Sequence, residues 1–129
     1  MLPVVRLMVP CEDVQARDTG EVDILGVMSI IDCPRSAFPF VMGFCVYVCM
    51  ANGRGSGIGR VHVTNEETDQ LAHVSDEYPF ELGDDPLKLI ATRFYVPVCK
   101  IPSPGIYRID FVYNGVGIGE CMIQVRETQ

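Results

Sequence analysis

Apolar residues recur at every second position through much of this chain. The runs they form are separated by clusters of glycine, proline, asparagine and aspartate. A period of two marks strands with one buried and one open face, and turn signals at short, regular intervals between such runs point to a sandwich or barrel. Pro3–Val9 reads as a first strand and Glu21–Ile31 as a second. The polar segment Glu12–Gly20 between them reads as a loop, with room for one helical turn at Asp13–Arg17. Phe40–Met50 is the most apolar run and is expected to lie centrally, buried on both faces. In Ile58–Thr64 the alternation is clean, setting Ile58, Arg60, His62 and Thr64 against Gly59, Val61 and Val63. Ala72–Leu82 is weakly extended. Asp85-Pro86 resembles an N-cap followed by proline and predicts a short helix over Asp84–Leu89. Ile90–Val98 is a further strand, which Pro97 marks as an edge or as ending there.

The last third is the most explicit. Ser103-Pro104-Gly105-Ile106 suits a type II turn. Tyr107, Ile109, Phe111 and Tyr113 then form an apolar face, alternating with Arg108 and Asp110. Asn114-Gly115 is a type I′ hairpin signal, with Val116–Arg126 as the return strand. A two-residue turn pairs Tyr113 with Val116 and Ile109 with Glu120, which sets Glu120 on the apolar face that Cys121, Ile123 and Val125 need. One extra residue near Gly117 or Gly119 restores the phase, so a β-bulge is expected there. The expected fold is an all-β, antiparallel two-sheet sandwich, immunoglobulin-like or C2-like. About seven to nine strands and at most one short helix would form one domain over residues 1–129.

The Pro-x-Pro-Gly-x-Tyr turn, Asn-Gly hairpin and closing strand of Pro102–Val125 resemble the ending of small uncharacterised bacterial β-sandwich proteins. Leu2–Val27, an acidic loop before a Leu-Gly-Val strand, also fits their opening. Together these segments cover about half the chain. The resemblance implies the sandwich fold and carries no activity with it.

Composition narrows the partners. Ten basic residues, two of them lysine, stand against seventeen acidic ones, for a net charge of −7. Binding to a phosphate backbone requires clustered lysine and arginine, so neither nucleic acid nor an anionic membrane is an expected partner. The apolar fraction of 48% is high for a small domain and suggests surface covered by a protein partner or by self-association. The longest apolar stretch, Ala37–Ala51, is shorter than the ~20 residues of a membrane helix. Met1–Pro10 lacks the apolar core of a secretion signal, and a cytoplasmic setting with reduced thiols is expected.

No pattern of reactive residues identifies an enzyme. Gly53, Gly55, Gly57 and Gly59 lack the following helix and lysine of a phosphate loop and read as a flexible hairpin loop, with Arg54 and Arg60 as the anion-binding alternative. On a strand, Cys45 and Cys49 point the same way but lie about 13 Å apart, too far to bridge or to share a metal. Cys11, Cys33, Cys99 and Cys121 show no chelating spacing and read as buried thiols. His62 is the better candidate base of the two histidines, while His73 falls in or beside a loop. The acidic groups Glu66, Glu67 and Asp69, Asp76 and Glu77, and Asp84 and Asp85 sit in loops that can converge on calcium, although no D-x-D-x-D spacing is present. No catalytic, cofactor or metal residue is therefore assigned. The expected function is a non-enzymatic interaction or assembly module docking through a sheet edge or apolar face. Calcium or small-ligand binding by the acidic loops is the alternative, and an unrecognised enzyme comes last.

Overall fold

The computed structural model describes residues 2–128. Ten strands are present among them: β1 (Val4–Ala16), β2 (Val22–Val27), β3 (Ile30–Pro34), β4 (Phe40–Ala51), β5 (Ser56–Asn65), β6 (Leu71–Val74), β7 (Tyr78–Glu81), β8 (Ile90–Ile101), β9 (Gly105–Tyr113) and β10 (Val116–Thr128). They form a sandwich of a four-stranded sheet, β2-β1-β4-β8, and a six-stranded sheet, β3-β10-β9-β5-β6, in which β7 also pairs with β5. The only helical piece among the described residues is a 3₁₀ turn at Arg35–Ala37. Pairing is antiparallel except between β3 and β10, which run parallel.

The core comes from the inward positions of both sheets. Phe44, Val46, Val48 and Met50 of β4 and Phe94, Val96, Cys99 and Ile101 of β8 face Val61 and Val63 of β5 and Tyr107, Ile109, Phe111 and Tyr113 of β9. As expected, β4 lies centrally, between β1 and β8, but it is not buried on both faces, since Val41 and Gly43 are exposed and Tyr47 and Cys49 half-buried; β8 is an edge. The strand passes through Pro97 by a bulge: Met42 pairs with Cys99 but Phe44 with Val96, which keeps Val96, Cys99 and Ile101 all inward. The predicted hairpin bulge is present too. Gly117 pairs with Val112 and Gly119 with Phe111, leaving Ile118 as the extra residue and returning Cys121 to Ile109. Asn114 and Gly115 both have positive φ, 49° and 80°, as a type I′ turn requires.

Several local expectations are corrected. The polar segment after Val9 is strand as far as Ala16, because Cys11 and Val14 are buried while the residues between them open to solvent at the end of a sheet. The Glu21–Ile31 run divides in two. Gly26, at φ 63°, and the Met28 N–H, bonded to Pro10 O, turn the chain out of the four-stranded sheet so that β3 can join β10. Asn52–Gly57 is no hairpin loop. It carries the chain from one sheet to the other and is pinned by Gly55 N–H to Gly83 O (3.0 Å) and Leu82 N–H to Gly55 O (2.8 Å). The Asp84–Leu89 segment forms no helix. The Asp85 side chain accepts from Leu87 N–H, as in a cap, and the chain then turns straight into β8.

Gly105 is not in a type II turn: its φ is 154°, and it already pairs with Val125 as the first residue of β9. The connection before it crosses between sheets and is held by the Tyr107 hydroxyl donating to Ser103 O (2.7 Å), a tyrosine corner of the immunoglobulin-like kind.

Gly59 shows how tightly the rings of neighbouring strands crowd β5. A Cβ there would lie 2.7 Å from the Phe80 ring and 2.8 Å from Phe111. Gly59→Ala should therefore destabilise by about 1–3 kcal/mol through overpacking, read as a lower urea midpoint; an unchanged midpoint would show that the aromatic layer yields at no cost.

Candidate functional site

The two outer faces of the sandwich differ in chemistry. The six-stranded sheet carries charge: Arg60 pairs with Glu77, Arg108 with Asp110 (2.9 Å) and Glu66 (2.7 Å), and Arg126 with Asp32 (2.8 Å). The bond from Arg126 holds the Asp32 carboxyl below the usual carboxylate range. Ile58, Val74, Ile106 and Met122 are exposed among these pairs, on the solvated side of the sheet.

The four-stranded sheet presents the opposite. Its inward positions are fixed by the core, so the alternate residues face outward, and the register aligns them in rows. One row runs Val27, Cys11, Cys45, Tyr95 across all four strands. The next holds Val9, Tyr47 and Arg93, and a third Leu7, Cys49 and Ala91. Leu25 stands opposite Asp13. Leu7 is 45% exposed, Val27 64% and Tyr95 59%. Within these rows only Asp13 and Arg93 are charged, and they pair with each other at 3.3 Å while Arg93 also donates to Val14 O and lies over the Tyr95 ring. The part of the face that these rows make is mostly apolar, with Lys100 standing opposite Val41 beyond them.

The residues singled out from the sequence are dispersed by the fold. Cys45 and Cys49 share a face four residues apart, as expected. The pairing of Cys11 directly opposite Cys45 was not legible, because it depends on a register between strands over thirty residues apart. Both thiols are fully buried with Val14, against Ile24 and Tyr47. Burial, aided by the mutual proximity of the pair, raises the Cys11 pKa, and burial likewise raises that of Cys45. All six cysteines are free thiols. His62 lies outward on β5 opposite Asp110, whereas His73 lies on the short strand β6, beside the loop that follows Val74, with Nδ1 3.0 Å from Val98 O of β8. Arg60 is occupied by Glu77, which leaves Arg54 without its companion for an anion. Glu66 and Glu77 are taken up by arginines and Asp85 by its turn. Among the described residues, no three His, Cys, Asp or Glu side chains converge as metal ligands would, so the calcium reading gains no support. No helix among them is long and apolar enough to cross a membrane.

Residues 6–126 match the family described as "Family of unknown function (DUF6941)". The chain belongs to that family. The match extends over nearly the whole chain rather than half of it. No curated protein matches the chain. Among solved structures it is similar to the CARDB domain of a Pyrococcus furiosus protein, solved in complex with di-metal ions, at 12% identity, 99% coverage of both chains and a TM-score of 0.46. It is also similar to part of the alkylpurine DNA glycosylase AlkC of Pseudomonas fluorescens, bound to DNA containing an abasic site analog (11% identity, 76% of this chain and 27% of that one, TM-score 0.47). A Listeria innocua β-glucosidase is similar over 98% of this chain and 17% of its own, at 7% identity and a TM-score of 0.48.

The DUF6941 chain should keep its buried thiols unreactive while folded. Burial pushes Cys99 up to about 11, and burial with Asp110 and Glu120 nearby pushes Cys121 up to about 12. A thiol raised in the folded state stabilises fully below its unfolded value near 9.0, and that contribution is lost as pH climbs toward 11. Iodoacetamide at pH 8 should label Cys11, Cys45 and Cys99 only after urea is added, and unfolding midpoints should fall between pH 9 and 11. Rapid labelling of the native chain at these positions would contradict the burial.

Proposed function

We propose that this DUF6941 chain is a non-enzymatic assembly module that associates with a second copy of itself through the outer face of its four-stranded sheet. The observation that carries this reading is the set of exposed apolar side chains Leu7, Leu25, Val27 and Tyr95 on that face, which lie around the buried thiols Cys11 and Cys45. Burying apolar area drives association, and a contiguous apolar patch marks a place where it occurs. The choice of a second copy follows from charge. Asp13 and Arg93 neutralise each other within the face, so two copies can meet there without stranding an unpaired charge, which is what a two-fold, self-complementary contact requires. The remaining net charge of −7 lies off the contact, so it opposes association at long range and salt relieves it. A reducing, intracellular setting belongs to the same reading, since it keeps Cys11 and Cys45 as thiols beneath the contact.

Light scattering over a concentration series tests this. The chain should dimerise, more tightly at high than at low salt, and Leu7→Glu or Val27→Glu should each shift it to monomer. Their effect on the unfolding midpoint should be small, because both side chains are exposed in the single chain and such sites usually change stability by about 0.5 kcal/mol or less. A wild-type chain that stays monomeric at every concentration, or variants that dimerise as well as it does, would overturn the proposal.

A further inference from the structure

The end of β1 does not continue in the plane of the four-stranded sheet. Beyond Cys11 it pairs only with β2, as a two-stranded ribbon that sets Asp13, Val14, Gln15 and Ala16 against Leu25, Ile24, Asp23 and Val22. Val9, Tyr47 and Arg93 share a row, and Val14 lies five residues further along β1. In a flat sheet Val14 would stand about 19 Å from Arg93, five residues along and two strands across. Yet Arg93 Nη1 donates to Val14 O at 2.8 Å. The ribbon therefore bends back over the outer face, crossing β4 to reach β8. The side it lays down is apolar. Val14 and Ile24, opposite each other, pack on Cys11, Cys45 and Tyr47. The next such pair, Ala16 and Val22, lines a cleft with Tyr47, Ala91 and Arg93. The bend sits where pairing lapses. The ladder skips from Cys11–Val27 to Asp13–Leu25, and Gly26 takes φ 63° against the Glu12 side chain.

We propose that this hairpin is a hinged strap, latched by Arg93, whose opening uncovers Cys45 and Tyr47 while the main core stays folded. Its hold is slight. A two-stranded ribbon is marginally stable by itself. Of the ribbon's residues only Val14 is buried, and the cluster it joins is separate from the core between the sheets. Arg93 supplies the remaining ties, to Val14 O and to Asp13, and the second is an exposed ion pair that contributes little. A segment held by so few contacts opens at a lower free energy than the domain as a whole. Opening leaves the β1–β4 ladder from Val4 to Cys11 in place. It adds Cys45 and Tyr47 to the exposed Leu7 and Tyr95 of the same face. The strap depends on contacts within one chain and holds whether or not two copies associate.

Iodoacetamide labelling of the full chain at pH 8, read thiol by thiol by mass spectrometry, tests this. The chain is kept dilute enough to be monomeric by light scattering, and urea is varied below the unfolding transition. Cys11 and Cys45 should label together at a rate that hardly varies with urea, because opening the strap exposes little surface. Cys99, in the main core, should label only through unfolding of the whole chain, at a rate that rises steeply with urea. Two variants separate the routes. Arg93→Ala removes the latch and should speed Cys45 labelling roughly tenfold, the equivalent of one charge-assisted hydrogen bond. Gly59→Ala strains the main core, which stays packed when the strap opens. It should speed Cys99 labelling by roughly fivefold or more and leave Cys45 at the wild-type rate. Should Gly59→Ala fail to fold, the urea dependences and Arg93→Ala still decide. Cys45 tracking Cys99 at every urea concentration, Gly59→Ala speeding both thiols equally, or Arg93→Ala labelling Cys45 at the wild-type rate would overturn the proposal. Failure of the proposed dimer would leave all of these expectations unchanged.

Discussion

The two sheets are joined by one layer of aromatic rings, and the rest of the structure depends on keeping that layer in phase. Phe94 of β8 meets Phe111 of β9 at 5.3 Å between centroids, and Phe80 of β7 touches Phe94, Phe111 and Tyr113 at 6.0–6.2 Å, mostly tilted or edge-on as ring quadrupoles favour. These rings come from three strands with different neighbours, so each strand must present the same parity to the interior. Where a ladder would drift out of phase, one residue is inserted. Arg6 is extra between β1 and β4, the Pro97–Val98 step accommodates β8 to β4, and Ile118 is extra between β9 and β10. Each bulge spends a local pairing to hold a long inward face together.

Fixing the inward parity also fixes what points outward, and here the two sheets part company. On β9 the alternate positions are Arg108 and Asp110, which pair with each other and with Glu66 and leave a face suited to water. On β4 they are Cys45, Tyr47 and Cys49, flanked by Leu7, Val9 and Cys11 on one side and Ala91, Arg93 and Tyr95 on the other. Cys11 and Cys45 are taken up by a small buried cluster with Val14, Ile24 and Tyr47, but Leu7, Leu25, Val27 and Tyr95 of the same face stay exposed. Their presence is the physical reason to place a partner on that face.

How much of this was legible beforehand depended on whether the determining contact was local. The Asn114–Gly115 turn and the bulge after it follow from a dozen adjacent residues, and the conflict between Glu120 and Cys121 is visible without any partner strand. Pro97 alone marked β8 as an edge or as ending there, and of the two the edge is what forms, with the strand running on to Ile101. The pairing of Cys11 with Cys45 and the apolar row it belongs to depend on a register across the β1–β4 ladder that no short window contains. For the same reason the glycine run at Asn52–Gly57 resembled a hairpin. Its glycines suit a reversal equally well, and only the partners of β4 and β5 show that they belong to different sheets.

The most direct measurement is methyl NMR of the chain at high concentration with a soluble paramagnetic agent. If the outer face of the four-stranded sheet is covered by a second copy, the methyl groups of Leu7, Leu25 and Val27 will be shielded while those of Ile58 and Val116, exposed elsewhere, are broadened. Equal broadening of both sets would mean that nothing covers the face, and the functional reading of the fold would fail with it.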